Sequence, residues 1–182
     1  MLFKFSDING QAECCWENLY RKEEYPDFSR LLIGCKSGEI PLILDFCKNM
    51  EGPFGVLHVL VVSRLGQEPG RYQTPDPLSY EQLEAFLYEY QDYFEQDGRA
   101  NLWVASISGE GQFIYDRHNY IYAYGDVNGY IEALKPKGFQ AGDIVVPVPH
   151  GHAYHAEFDP QEEAVGKAFE WIHYPLQDED EE

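Results

Sequence analysis

The stretch NLWVASISGEGQFIYDRHNYIYAYG, residues 101–125, leaves few folds open. NLWVASIS reads as a strand, GEG as a turn, QFIYDRH as a second strand, and YIYAYG as a third strand after a tight turn near Asn119. Links this short cannot carry a crossover, so the three runs must be antiparallel neighbours. A doubly wound parallel sheet needs a helix between successive strands, and the chain lacks that alternation. The expected class is α+β: a single domain with an antiparallel or mixed β-sheet and helices packed mainly on one face.

The remaining segments fill in this scheme. FGVLHVLVVSR (54–64) is apolar on both faces and reads as an interior strand. RLLIGCK (30–36) and IPLILDFC (40–47) flank Ser37-Gly38-Glu39 and read as a hairpin. GDIVVPVP (142–149) and HAYHAEF (152–158) also read as strands, and the Pro- and Gly-rich 66–77 as a loop. Four helices are expected. In 11–25, Ala12, Cys15, Trp16, Leu19 and Tyr20 share a helical face. In 79–96, Ser79 and Gln82 have capping-box spacing, and Leu83, Phe86, Leu87, Tyr90 and Phe94 form one stripe. Gly98 is expected to close that helix in the left-handed conformation. A third helix starts at the cap Asp126, turns Val127, Tyr130, Ile131 and Leu134 inward, and stops at Gly138. The last starts at Asp159-Pro160, with Glu162 as return partner and Ala164, Val165, Ala168, Phe169 and Ile172 facing the core. Residues 1–176 then form one globular domain and 177–182, QDEDEE, a frayed acidic tail.

Charge restricts the partners. Thirty-two acidic residues face 13 Lys and Arg, a formal net charge of −19. Such a surface repels phosphate, so neither nucleic acid nor an anionic membrane is an expected partner, whereas a basic protein is. No apolar run approaches the ~20 residues needed to span a bilayer. The opening MLFKFSDING lacks the apolar core of a secretory signal, so a cytoplasmic location is expected. Cys14, Cys15, Cys35 and Cys47 include no C-x-x-C, which argues against a zinc ribbon or a thioredoxin-like motif. Cys35 and Cys47 lie in apolar runs and are expected to pack as small hydrophobes.

The histidines are the candidate chemistry. PHGHAYHAEFD, 149–159, places His150, His152 and His155 within six positions, with Glu157 and Asp159 nearby. These are zinc-ligand types, but on a strand His152 and His155 point to opposite faces, and no H-E-x-x-H is present. The bland alternative is a surface turn entering a strand. His58 lies in an apolar strand and reads as a core histidine that needs a hydrogen-bond partner. His173 is expected at a helix C-terminus, where the dipole favours a cation. Asp116, Arg117 and His118 crowd a turn; Asp–His could orient a base, but turn chemistry explains the residues equally well. Arg64 and Arg71 could grip an anion or pair with internal acids. SGEG (108–111) is a hairpin turn, since no helix follows it.

Tyr88, Tyr90 and Tyr93 on a helix, and Tyr120, Tyr122 and Tyr124 on one strand face, suit either an interface or sheet packing. Tyr88 lies off the apolar stripe and should be exposed. No catalytic or cofactor-binding motif is present, so no cofactor, no catalytic residue and no metal ligand is assigned. The leading expectation is a non-enzymatic acidic module, of immunity or inhibitor type, that binds a basic protein. The alternatives are a metal-dependent enzyme built on His150, His152 and His155, and a structural or assembly protein, with the chain a monomer or a homodimer through a sheet edge or the 79–96 helix.

Overall fold

The computed structural model describes residues 2–7 and 16–180. Its main sheet has nine strands: β2 (Leu19–Glu24), β3 (Ser29–Gly34), β4 (Phe54–Leu60), β5 (Gly70–Gln73), β6 (Ala100–Ser106), β7 (Gly111–Tyr115), β8 (Ile121–Gly125), β9 (Gln140–Ala141) and β11 (Ile172–Tyr174). They are ordered β11-β5-β4-β6-β7-β8-β3-β2-β9, and only the β2–β9 pair is parallel. A separate antiparallel pair joins β1 (Phe5–Asp7) to β10 (His150–His152). The helices are α1 (Glu39–Cys47), α2 (Tyr80–Glu89), α3 (Gln91–Gln96), α4 (Val127–Leu134) and α5 (Asp159–Lys167). No helix among the described residues is long and apolar enough to cross a membrane.

Pleating explains the layering. Leu31, Ile33, Ala123, Ile121, Phe113, Tyr115, Val104, Leu102 and Val56 occupy the same side of neighbouring strands by register. All are buried in one cluster with Ile43, Leu44 and Phe46 of α1, Leu83, Phe86 and Leu87 of α2, Phe94 of α3, Tyr130 and Leu134 of α4, and Val165 of α5. The helices therefore cover one face of a mixed sheet, and the domain is α+β. On the other face Leu32 is covered by Ile144, with Trp16, Leu19, Tyr122 and Val146 around them.

The meander from β6 to β8 forms as its alternation requires, and the turn at 107–110 joins β6 to β7 with Gly109 at φ 83°. Ser79 and Gln82 make both capping-box bonds, and the Asp126 side chain accepts from Gly129 N. Gly138 takes φ 84° after a short 3-10 turn. Cys35 and Cys47 are buried free thiols.

Several expectations are corrected. Of the 11–25 helix, residues 11–15 lie outside the described residues, and Leu19–Glu24 form β2 instead, because this run pairs along its whole length with β3. The second arm of the expected 30–47 hairpin is α1, buried at seven of its nine residues. A helix buried nearly all round loses its polar stripe, so its apolar run looks like a strand. The 66–77 loop contains β5, and the 79–96 helix breaks at Tyr90 into α2 and α3. Residues 142–149 make no strand: Pro147 and Pro149 remove donors a ladder needs. Residues 156–158 form a 3-10 turn. α5 begins one residue earlier than expected, without a side-chain cap, and the Asp159 carboxylate is engaged by Arg64 and Arg99 instead. Ile172 belongs to β11 and is exposed. Asp180 is buried and holds Arg71 through two bonds of 2.7 and 2.8 Å, so the chain is still anchored past residue 177.

Candidate metal centre

The β7–β8 turn is built to hold one imidazole still. Asp116 N donates to Tyr120 O at 2.9 Å and Asn119 N to Asp116 O at 3.0 Å. Asn119 adopts φ 64°, a left-handed conformation that asparagine tolerates, and accepts from the Tyr115 hydroxyl at 2.6 Å. Arg117 N donates to the buried Asn101 side chain at 2.8 Å. The Asp116 carboxylate receives both the His118 backbone N–H at 2.7 Å and His118 Nδ1 at 2.6 Å. The turn reading and the Asp–His reading of this stretch thus describe the same object.

The other two imidazoles come from β10, 32 residues further on. His150 and His152 are two apart on a strand and so share a face. β1 clips that strand in place: Phe5 pairs with His152 and Asp7 with His150. The buried Phe5 ring lies against all three imidazoles, with centroids 5.6 Å from His118, 5.9 Å from His150 and 6.1 Å from His152. One ligand nitrogen from each of His118, His150 and His152 falls within 4.8 Å of the others.

Tautomer logic sharpens the picture. His118 Nδ1 faces the Asp116 carboxylate, and His150 Nδ1 faces the Pro147 carbonyl at 2.9 Å. Both partners only accept, so each Nδ1 carries its ring's proton. The two Nε2 lone pairs then face each other at 3.0 Å. That arrangement needs a cation between them, either an extra proton or a metal ion. Two nitrogens bound tetrahedrally to zinc at ~2.05 Å sit roughly 3.3 Å apart, so a few tenths of an ångström of opening would admit one. The third ring is prepared as well. Burial, reinforced by Arg117 and the neighbouring imidazoles, pushes His152 down to about 3, and its Nδ1 is buried without a hydrogen-bond partner. A neutral imidazole is the form that binds metal.

His155 is not part of this centre, unlike in the trio of the metal-enzyme alternative. Its Nε2 meets Phe3 O at 3.0 Å and its backbone N donates to Asp97 at 2.7 Å, on the other side of the bend that follows β10. Arg64 and Arg71 are also absent: Arg64 pairs with Asp159 and Arg71 with Asp180. His173 lies in an edge strand against Tyr72, so the helix-terminus argument does not apply to it. His58 is a core residue: its Nε2 lies 3.4 Å from the Tyr93 hydroxyl, and burial pushes it down to about 3. Tyr88 is exposed, as expected, at 49 %.

Behind the centre lies a buried ionic network with no sequence motif. Arg99 is 0 % exposed and its guanidinium contacts Asp97, Asp159, Glu162 and the His155 carbonyl. Comparison with known proteins returns no match: no family model, no curated protein and no solved structure is significantly similar to this chain.

Proposed function

We propose that this protein binds one first-row transition-metal ion, zinc by ligand preference, through His118, His150 and His152. The observation that carries the reading is the 3.0 Å approach of the His118 and His150 Nε2 atoms while both opposite Nδ1 atoms face acceptors. Three imidazoles suit zinc, copper, nickel or iron and do not suit magnesium or calcium, which take oxygen ligands. Asp116 and the Pro147 carbonyl supply the outer contacts that fix ring orientation in metal sites. Among the described residues no fourth His, Cys, Asp or Glu joins the group. Three protein ligands with one position left for water or substrate is the pattern of catalytic rather than structural zinc, so the chemistry we assign is Lewis-acid activation of a bound water or ligand.

The test is zinc stoichiometry after chelator dialysis and reconstitution. We expect about one zinc per chain, as three ligands to one ion require, lost in each of His118→Ala, His150→Ala and His152→Ala and kept in His155→Gln. A folded wild-type protein that takes up no zinc, copper, nickel or cobalt would overturn the reading.

A second reading is favoured by the outer side of α2 and α3, where exposed Tyr88 is accompanied by exposed Glu81, Glu89 and Asp92. This acidic face around an aromatic anchor would suit a basic protein partner. Capture of a cationic protein that weakens steeply with salt and with Tyr88→Ser supports it. Binding indifferent to both contradicts it.

A further inference from the structure

We infer that the open position of the metal centre accepts a small oxyanion, and that Arg117 is the side chain that receives the anion's second oxygen. This rests on the metal reading above and adds the chemical class of the ligand.

The chain has six arginines, and five of them meet a carboxylate: Arg21 and Arg30 meet Glu23, Arg64 meets Asp159, Arg71 meets Asp180, and Arg99 meets Asp97. Arg117 meets none among the described residues, although acids outnumber bases 32 to 13 in this protein. Exposure does not explain this, because Arg117 is 7 % exposed. Its Nε is buried with no hydrogen-bond partner, and the contact from its terminal nitrogen to the Tyr154 hydroxyl is long, at 3.4 Å. A buried guanidinium left so poorly satisfied is costly unless something else completes it.

Its place in the fold indicates what that is. Arg117 directly precedes His118 in the rigid turn, and Tyr154 lies two residues after His152. Arg117 therefore links the same two segments, the β7–β8 turn and the chain at and after β10, that supply the three imidazoles. The nearest carboxylate in sequence, Asp116, is occupied with the backbone N–H and Nδ1 of His118. Lys4, also buried here, is engaged by the Asp116 carbonyl at 3.1 Å and by the Tyr115 ring at 3.6 Å. A dication held by the imidazoles and an incompletely paired guanidinium on the same two segments would form a two-point receptor: one oxygen of an anion binds the metal and another takes the planar N–H fork. Carboxylate and phosphate both have that geometry.

The experiment uses full-length protein loaded with Co(II), whose visible bands report on the ligands around the ion. Inorganic phosphate and acetate are titrated in separate arms at constant ionic strength. We expect a saturable spectral change, and a loss of anion affinity of about tenfold or more in Arg117→Gln, with Arg117→Lys in between. Both variants should retain one Co(II) and the wild-type far-UV spectrum. A response to phosphate alone would assign a phosphoryl ligand, and a response to acetate alone a carboxylate. If wild type binds Co(II) but responds to neither anion, the inference falls and the metal reading stands. If wild type binds no Co(II), the metal reading itself falls. Because the wild-type response is decisive on its own, misfolding of a variant does not protect the inference.

Discussion

Replacing Arg99 by methionine removes the one cation inside a cluster of acids. The guanidinium grips Asp97 at 2.8 and 3.1 Å, reaches Asp159 at 3.1 Å and the His155 carbonyl at 2.7 Å, and contacts Glu162. Burial alone would lower its pKa, but its bonds to Asp97 and Glu162 more than reverse that and hold it charged. The partners would fare differently after the change. Asp97 keeps two backbone donors, Arg99 N and His155 N. Asp159 keeps Arg64 at 2.9 Å and is a quarter exposed. Glu162 is 0 % exposed and keeps only the Ser63 hydroxyl and a long 3.4 Å contact from Arg64 N. The cost of Arg99→Met is thus mainly one uncompensated buried carboxylate, about 3–5 kcal/mol. Adding Glu162→Gln removes that charge, so the double mutant should recover at least ~1 kcal/mol relative to the sum of the single changes. Urea unfolding of all four proteins at pH 7 and 25 °C reads both numbers. A loss under ~1 kcal/mol for Arg99→Met at unchanged m-value would show that water reaches this cluster and would refute the argument.

Three further outcomes follow from named contacts. His58 is held near 3 when folded against 6.5 when exposed, so between those values the unfolded chain binds more protons and stability falls as pH falls; from pH 7 to 5 this residue should cost about 2 kcal/mol, and His58→Leu should flatten that part of the urea-midpoint profile. A methyl at Gly98 would lie 2.4 Å from Lys4 O and 3.2 Å from Ala153 O, so Gly98→Ala should destabilise by roughly 1–3 kcal/mol and, by moving β10, weaken zinc binding in a competition titration. Asp116→Asn should leave one zinc per chain but lower affinity by about 10–100-fold in the same titration, because it orients His118 without touching the ion.

The parts of this fold that were legible in the sequence are those where a local signal agreed with the tertiary result. The β6–β8 meander, the Ser79–Gln82 box and the Asp126 cap all satisfy their own backbone groups within a few residues. Where burial overrode periodicity, reading failed. α1 is apolar nearly all round and mimics a strand, while the outer strand β2 carries charges on both faces and mimics a helix surface. Gly98 was legible as a special position, but for the wrong cause: its φ is not left-handed, and it is small because the Lys4 carbonyl passes against it. At the centre, the i, i+2 spacing of His150 and His152 was a usable signal for a shared strand face. His118 was not, because only the pairing of β1 with β10 brings that strand to the β7–β8 turn.

That pairing fixes when the centre can exist. Phe5 aligns with His152, so β1 has no partner until β10, 147 residues further along, has been made, and closing so long a loop is slow. A metal ion encountering the nascent chain would find His118 alone. Ion capture by the three imidazoles would therefore follow the closure of that long-range pair.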